Sequence, residues 1–438
     1  MMNTMTGRES LKTGSPRQRV FRGRIIQAPD WETLQHYPDG ALWVDADGRI
    51  QACRHWQGLS GLPDDVEVIE LPVGHVILPG LVDMHVHLPQ MAITGCQAPD
   101  LLTWLDQIVF AEEAKFADGA YARRISEWFF RELLRNGTTT AAVFLTVHPE
   151  ACNIAFEVAE RCGNRVIMGQ NLMELNAPEA LLRPATQLLA ETEALCKRWH
   201  GRGEGRLRYA WMPRFALSCS EALLNGIGEL RHKYPDVYLH THLSEQPSEI
   251  EAVLQQFPNA RSYTEVYERS GLLAARTILA HGIYLSDEEL DTLREAGCGL
   301  AHCPSSNFFL KSGRFRLTNV LRKAVPFGLG SDVGAGPALS MLTVMRDMQF
   351  RQDPVSALLY SATLGAAKAL HLEKQIGSLA PGKEADFIIV NPFARRGFGV
   401  PPVSEALTID PTNLLSRLVY LGDEQMIAAT YIRGRRVH

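Results

Sequence analysis

The stretch LVDMHVHLPQ, residues 81–90, decides how the rest of the chain is read. His85 and His87 alternate with Met84, Val86 and Leu88 in a run that otherwise has the character of a buried strand. Alternation in a strand puts both imidazoles on one face. A soluble fold fills such inward positions with Val, Ile or Leu, because an imidazole withdrawn from water needs a hydrogen bond or a metal. The pair therefore predicts a shared partner at the end of this strand.

Downstream, apolar strand candidates alternate with amphipathic helical stretches. The helical SEWFFRELLRNG leads to TTTAAVF, and RVIMGQNL, RYAWMPRF, VYLHTHL, RTILAHG, CGLAHCP and PFGLGSD each follow a helical segment. With the first strand, VILPGLVDMHV, that makes eight. The fold class is α/β: a (β/α)8 TIM barrel over residues 79–376, whose functional groups collect at the C-terminal strand ends. An open doubly wound sheet would carry a Gly-rich phosphate turn after its first strand, and none is present. Residues 19–78 hold short alternating stretches broken by Asp-Gly and Pro, as hairpins are. Residues 377–438 return to turns and strands in GSLAPGKEADFIIVNP and AATYIRGRRVH. The two ends are expected to combine in a small β-sandwich domain, with residues 1–18 as a flexible tail.

Composition narrows the function. The formal charge of -5 gives no electrostatic case for nucleic acid or membrane binding, and the short GRGEGRLR at 201–208 reads as a helix-to-strand loop. No apolar run is long enough to span a bilayer, and the first residues lack the apolar core of a secretory signal. The eight cysteines are scattered without a CxxC pair, which fits reduced thiols in a cytoplasmic protein. Cys303, in AHCPSSN, has no evident activating base and reads as a small buried residue. Small-molecule chemistry is what remains.

The other strand ends supply partners for the histidine pair. LHTHLSE places His242 at a strand terminus, with Glu245 where the chain turns over the barrel mouth. ILAHG ends a strand at His281, and GLGSDVGAG ends another at Asp332 in a glycine-rich turn. His85, His87, His242, His281 and Asp332 thus converge as a nitrogen-and-oxygen set suited to zinc or iron. His240 shares the face of His242 one layer deeper, as a core histidine or a support for a ligand. His302 is also near a strand end, with a structural hydrogen bond as the alternative to a place in the site. A divalent ion acidifies water, and a carboxylate at Glu245 would then carry protons, as a non-ligand Glu does in zinc deaminases.

PGLVDMHVH, HTHLSE, LAHG, AHCPSSN, GLGSDVGAG and GSLAPGKEADFIIV, in that order, resemble the amidohydrolase superfamily from about residue 70 onward. Within it, LLRNGTTTAAVF, MPRFALSCS, HTHLSEQPSEIEAV and the LPQ after the HxH pair resemble the guanine-deaminating branch. The resemblance implies one zinc per chain, with iron possible, held by His85, His87, His242 and Asp332. It also implies that His281 ligates weakly or orients water, and that Glu245, His281 and Asp332 are catalytic. Two-metal members use a bridging lysine, which RVIMGQNL and RYAWMPRF lack. The implied reaction is hydrolysis of guanine to xanthine and ammonia by a homodimer, in purine catabolism.

Groups away from the metal would choose the ring. The fork of Arg214 suits two adjacent acceptors such as guanine O6 and N7, Phe215 suits stacking, and Gln90 offers both a donor and an acceptor. A structural ion pair is the alternative for Arg214. The branch has a TFPTE-like segment where this chain has IVFAEEAKF, and an Asp-x-Asn segment where it has Glu174, Leu175 and Asn176. A lid or substrate edge that differs would favour a related aminopurine or pterin, such as 8-oxoguanine or isoxanthopterin. A cyclic-amide hydrolase and a non-catalytic assembly protein are the more distant alternatives.

Overall fold

The computed structural model describes residues 18–348, 353–394 and 408–438. Eight parallel strands pair in chain order: Leu81–His87, Thr138–Phe144, Arg165–Gly169, Leu207–Pro213, Tyr238–Leu243, Thr277–His281, Gly299–His302 and Phe327–Leu329. They are the eight that the alternating pattern predicts. At the mouth the first and last strands are tied together. The Asp332 N–H donates to the His85 carbonyl and the His87 N–H to the Val333 carbonyl, each at 2.8 Å. One layer down, the buried carboxylate of Asp83 accepts from the Ser331 N–H at 2.9 Å, the Ser331 hydroxyl at 2.5 Å and the His85 N–H at 3.2 Å. Gly330 permits this close seam, because a Cβ there would stand 2.9 Å from that of His85.

The helices cover the barrel by the expected stripe. Gly119–Arg135 is capped by the Asp118 carboxylate, which accepts from the Ala120 N–H, and it buries Ala122, Ile125, Phe129 and Leu133 along one face.

Both chain ends enter one mixed sheet of eight strands, in which Val76–Pro79 is the meeting point. It pairs parallel with Arg19–Gln27 and antiparallel with Phe387–Val390. Alternation then divides the side chains. Ile77, Phe387 and Ile389 join Phe21, Leu42 and Tyr431 in a small separate core, whereas Val76, Leu78, Ile388 and Val390 pack toward the barrel. At the barrel base, buried Arg165 is paired with Asp386 at 2.8 Å and with Glu384, which joins the two parts. The C-terminal segment also leaves the sheet: the helix Pro411–Leu421 packs on the barrel helices Met341–Met348 and Val355–Ser361.

Residues 1–17 of the expected tail lie outside the described residues. Gln18 is already part of the sheet region, where its carbonyl accepts from the Glu67 N–H and its side chain from the Trp43 indole. Among the described residues no helix is long and apolar enough to cross a membrane.

Candidate active site

Four strand ends deliver the inward-facing donors. Nε2 of His87 is 3.2 Å from Nε2 of His85 and 3.2 Å from Nε2 of His242. Asp332 Oδ1 is 3.1 Å from His85 Nε2 and 3.3 Å from His87 Nε2. Donors about 2.0–2.1 Å from one ion stand roughly 3.3 Å apart, so these four separations suit ligands that share an ion. The protonation states agree. Burial pushes the His85 and His242 imidazoles below their ordinary value and that of His87 down to about 3. Burial would raise Asp332, but His85, His87 and His281 outweigh it and hold the carboxyl well below the usual range. Neutral imidazoles and an ionised carboxylate are the forms that bind metal.

Hydrogen bonds behind the cage aim its lone pairs. The Nδ1 of His242 lies 2.6 Å from the Arg214 carbonyl, so its proton sits there and Nε2 is free. Nδ1 of His85 is 2.8 Å from Nε2 of His240, which places His240 behind the ligand and not in the cage. His281 donates from Nδ1 to Asn307 Oδ1 at 3.0 Å, which turns its Nε2 to within 3.4 Å of Glu245 Oε2 and 3.6 Å of Asp332 Oδ2. Burial opposes charging of His281, and the carboxylates of Glu245 and Asp332 overcome it, so its pKa is raised.

The backbone bends sharply where these groups emerge. Ser244, His281 and Asp332 have φ of 49°, 70° and 50°, in the left-handed region that is costly for residues other than glycine. The bend at Ser244 leads into the helix Pro247–Gln256, whose Glu249 accepts from the N–H groups of Glu245 at 2.8 Å and Gln246 at 3.2 Å. The Glu245 side chain accepts from the Ser312 hydroxyl at 2.8 Å. Burial pushes its carboxyl up to about 7, with His281 pulling the other way. A carboxyl poised there exchanges protons at neutral pH.

A cavity of about 400 Å³ opens above the cage. His87, His242, Glu245, His281 and Asp332 line it together with Gln90, Arg214 and Phe215, and His85 is fully buried beside them. The structure therefore brings together every site residue expected from the sequence. Leu101, Trp104 and Leu105 also line it, and no sequence signal marks them. Arg214 is not a lone cation: its Nη1 donates to both oxygens of Glu113, at 2.8 and 2.7 Å. Glu113 belongs to the divergent IVFAEEAKF segment, and that segment holds a clue to it. Two adjacent carboxylates in an apolar run need buried partners, as the histidines do.

Other readings resolve against the site. Glu174 accepts from the Ser220 hydroxyl at 2.5 Å and Asn176 donates to the Leu217 carbonyl at 2.6 Å, so both brace a loop and neither lines the cavity. His302 stacks on Phe315 with centroids 4.3 Å apart, away from the cage. Burial drives the Cys303 thiol well above its ordinary pKa, which makes it unreactive.

A family model described as the amidohydrolase family matches residues 76–437, and the chain belongs to that family of metal-dependent hydrolases. Its relatives are more specific. A guanine deaminase of Escherichia coli (strain K12) is 37% identical over 427 residues, 95% of each chain. A solved E. coli guanine deaminase matches with a TM-score of 0.89 at 35% identity, covering 96% of this chain and 99% of that one. A guanine deaminase from C. acetobutylicum, solved with guanine bound in its active site, matches with a TM-score of 0.86 at 28% identity, covering 96% and 100%.

Proposed function

We propose that the chain hydrolyses guanine to xanthine and ammonia, with one zinc ion held by His85, His87, His242 and Asp332. The observation that carries this is one cavity lined both by the metal-ligating set with Glu245 and by Arg214, Gln90 and Phe215. Three imidazoles and a carboxylate are a donor set that would suit zinc. When bound, the ion supplies Lewis acidity that brings the pKa of water toward neutrality.

The chain's own groups do the rest. Glu245 takes the first proton as water adds at C2 and passes it to the neighbouring ring nitrogen; the proton of the new C2 hydroxyl then reaches the amine by way of Asp332 and Glu245, so that ammonia leaves as the C–N bond breaks and the C2 carbonyl forms. His281 holds the water in line through Nε2, between Glu245 and Asp332. Arg214 and Gln90 hold the far edge of the ring at its O6 and N7 acceptors, and Phe215 packs on it. Leu101, Trp104 and Leu105 keep bulk water out. The relatives named above support guanine as the ring. A cytoplasmic homodimer acting in purine breakdown is the form that the resemblance supports.

The test is a substrate panel. Purified protein is incubated with guanine, adenine, 8-oxoguanine and isoxanthopterin while ammonia and the deaminated rings are followed. Guanine turns over fastest and yields xanthine. Adenine is poor, because it has no C2 amine and presents a donor where Arg214 needs an acceptor. Faster release from the pterin or 8-oxoguanine would overturn the named substrate, and no release from any ring would overturn the reaction.

A further inference from the structure

Glu113 is a buried carboxylate behind the pocket wall that the proposed reaction leaves without a task. It is 1% exposed and sits on the short helix Phe110–Ala114, directly after a π-helical turn at Leu105–Val109 that carries the lining residue Leu105. Both its oxygens accept from Arg214 Nη1, at 2.8 and 2.7 Å, and Oε1 also accepts from Gln90 Nε2 at 3.2 Å. It therefore holds, from behind, the two polar side chains proposed to touch the ring.

Two consequences follow from donor and acceptor chemistry. A carboxamide can present either end, and here both ends are assigned: Gln90 Oε1 accepts from the Gly334 N–H at 3.3 Å, and Nε2 faces the acceptor-only Glu113. Its second N–H is left for the pocket. Arg214 has only donors, and among the described residues its Nε and Nη2 have no hydrogen-bond partner. The wall is thus fixed as a row of N–H groups. Charge is the second consequence. A buried guanidinium without a counterion favours an anionic ligand, whereas one already paired with a carboxylate has no net charge to offer.

We propose that Glu113 is the positioning residue that sets ring specificity: it locks Arg214 and Gln90 into a neutral wall of donors, which selects an uncharged ring bearing a carbonyl oxygen next to a ring nitrogen. This rests on the guanine reading above and adds the group that enforces it. Glu113 touches no reacting atom. Its effect is on which ring is held, and the cage and Glu245 are independent of it.

The test compares guanine with 2-aminopurine, which keeps the ring nitrogens and the C2 amine and lacks O6. In Glu113→Gln the new amide nitrogen is a donor facing donors, so Arg214 and Gln90 lose their fixed arrangement. In that variant kcat/KM for guanine falls at least about 30-fold, as for one lost charge-assisted hydrogen bond, while the inhibition constant of 2-aminopurine against guanine turnover rises at most about 3-fold. Metal content stays at the parent value. Glu113→Gln combined with Arg214→Met costs guanine no more than Arg214→Met alone, because the two residues act as one unit. If Glu113→Gln does not fold, Glu113→Asp keeps the charge, withdraws it by one methylene and shifts the same ratio in the same direction. Equal losses for guanine and 2-aminopurine, or additive losses in the double variant, would overturn the proposal. A parent protein that releases no ammonia from guanine overturns the function instead.

Discussion

On the metal side of the pocket the donors come from barrel strand ends, whereas much of the facing wall comes from the excursion between the first strand and the helix Gly119–Arg135. His85, His87, His242 and His281 stand on barrel strands, and Asp332 follows the last strand at the seam where its N–H meets the His85 carbonyl. Gln90, Leu101, Trp104, Leu105 and Glu113 lie on short helices and turns laid over the mouth. Arg214 joins the two: its carbonyl aims His242 and its guanidinium meets Glu113. The difference assigns chemistry to the strand-end groups and choice of ring to the wall laid over the mouth, so damage to each should have a different signature.

The largest effect comes from the strand-end groups. His87→Ala removes a corner of the cage, so metal content falls and ammonia release drops at least about a thousandfold, in keeping with the several kcal/mol that a Lewis acid supplies. Elemental analysis and a guanine assay on the same sample check this, and full activity with no bound metal would contradict it. Glu245→Gln comes next: it keeps shape but cannot accept a proton. Metal is retained and turnover falls at least about a hundredfold. In the parent, Glu245 must be ionised to act as base, and burial raises its carboxyl to about 7. Its kcat/KM therefore falls as pH drops through that value, and a pH profile flat down to the ordinary carboxylate range would remove Glu245 from the role.

The recognition wall gives a smaller and more selective effect. Arg214→Ala keeps the metal and costs guanine kcat/KM about 2 to 4 kcal/mol, part of it the penalty of leaving Glu113 buried and unpaired. Loss of metal in that variant would show that the two walls are not separable. The smallest effect is expected at His240, which supports His85 from behind at 2.8 Å. His240→Asn should weaken metal affinity about tenfold, measured by competition with a chelator. A loss equal to that of His242→Ala would place His240 in the cage.

The two sides also differ in how legible they are in the chain. Period-two alternation in strands fixes which side chains point inward, so the residue pattern alone assigns His85 and His87, and His240 with His242, to one barrel face. Strand ends marked by Gly or by a turn then locate His281 and Asp332. Nothing local encodes where a loop lands. Ser312, which donates to Glu245, and Asn307, which orients His281, reach the site from the region between the last two strands, and their tasks depend on tertiary placement alone. Glu113 is obscured for another reason: its segment departs from the TFPTE-like pattern around it while keeping the Glu, and nothing local shows that this carboxylate meets Arg214. The Glu174 to Asn176 departure, by contrast, lies in a loop brace and bears on no ring.

The central claim is one metal, in one cage, driving hydrolysis of guanine against a separate recognition wall. It is tested most directly by stripping the full chain with a chelator and adding zinc back in measured steps while guanine-dependent ammonia release is followed. The account predicts that activity rises from near zero and levels off at one equivalent of zinc per chain, with Arg214→Ala reaching its plateau at the same equivalence and a lower rate. A plateau at two equivalents, or full activity in the stripped protein, would contradict it.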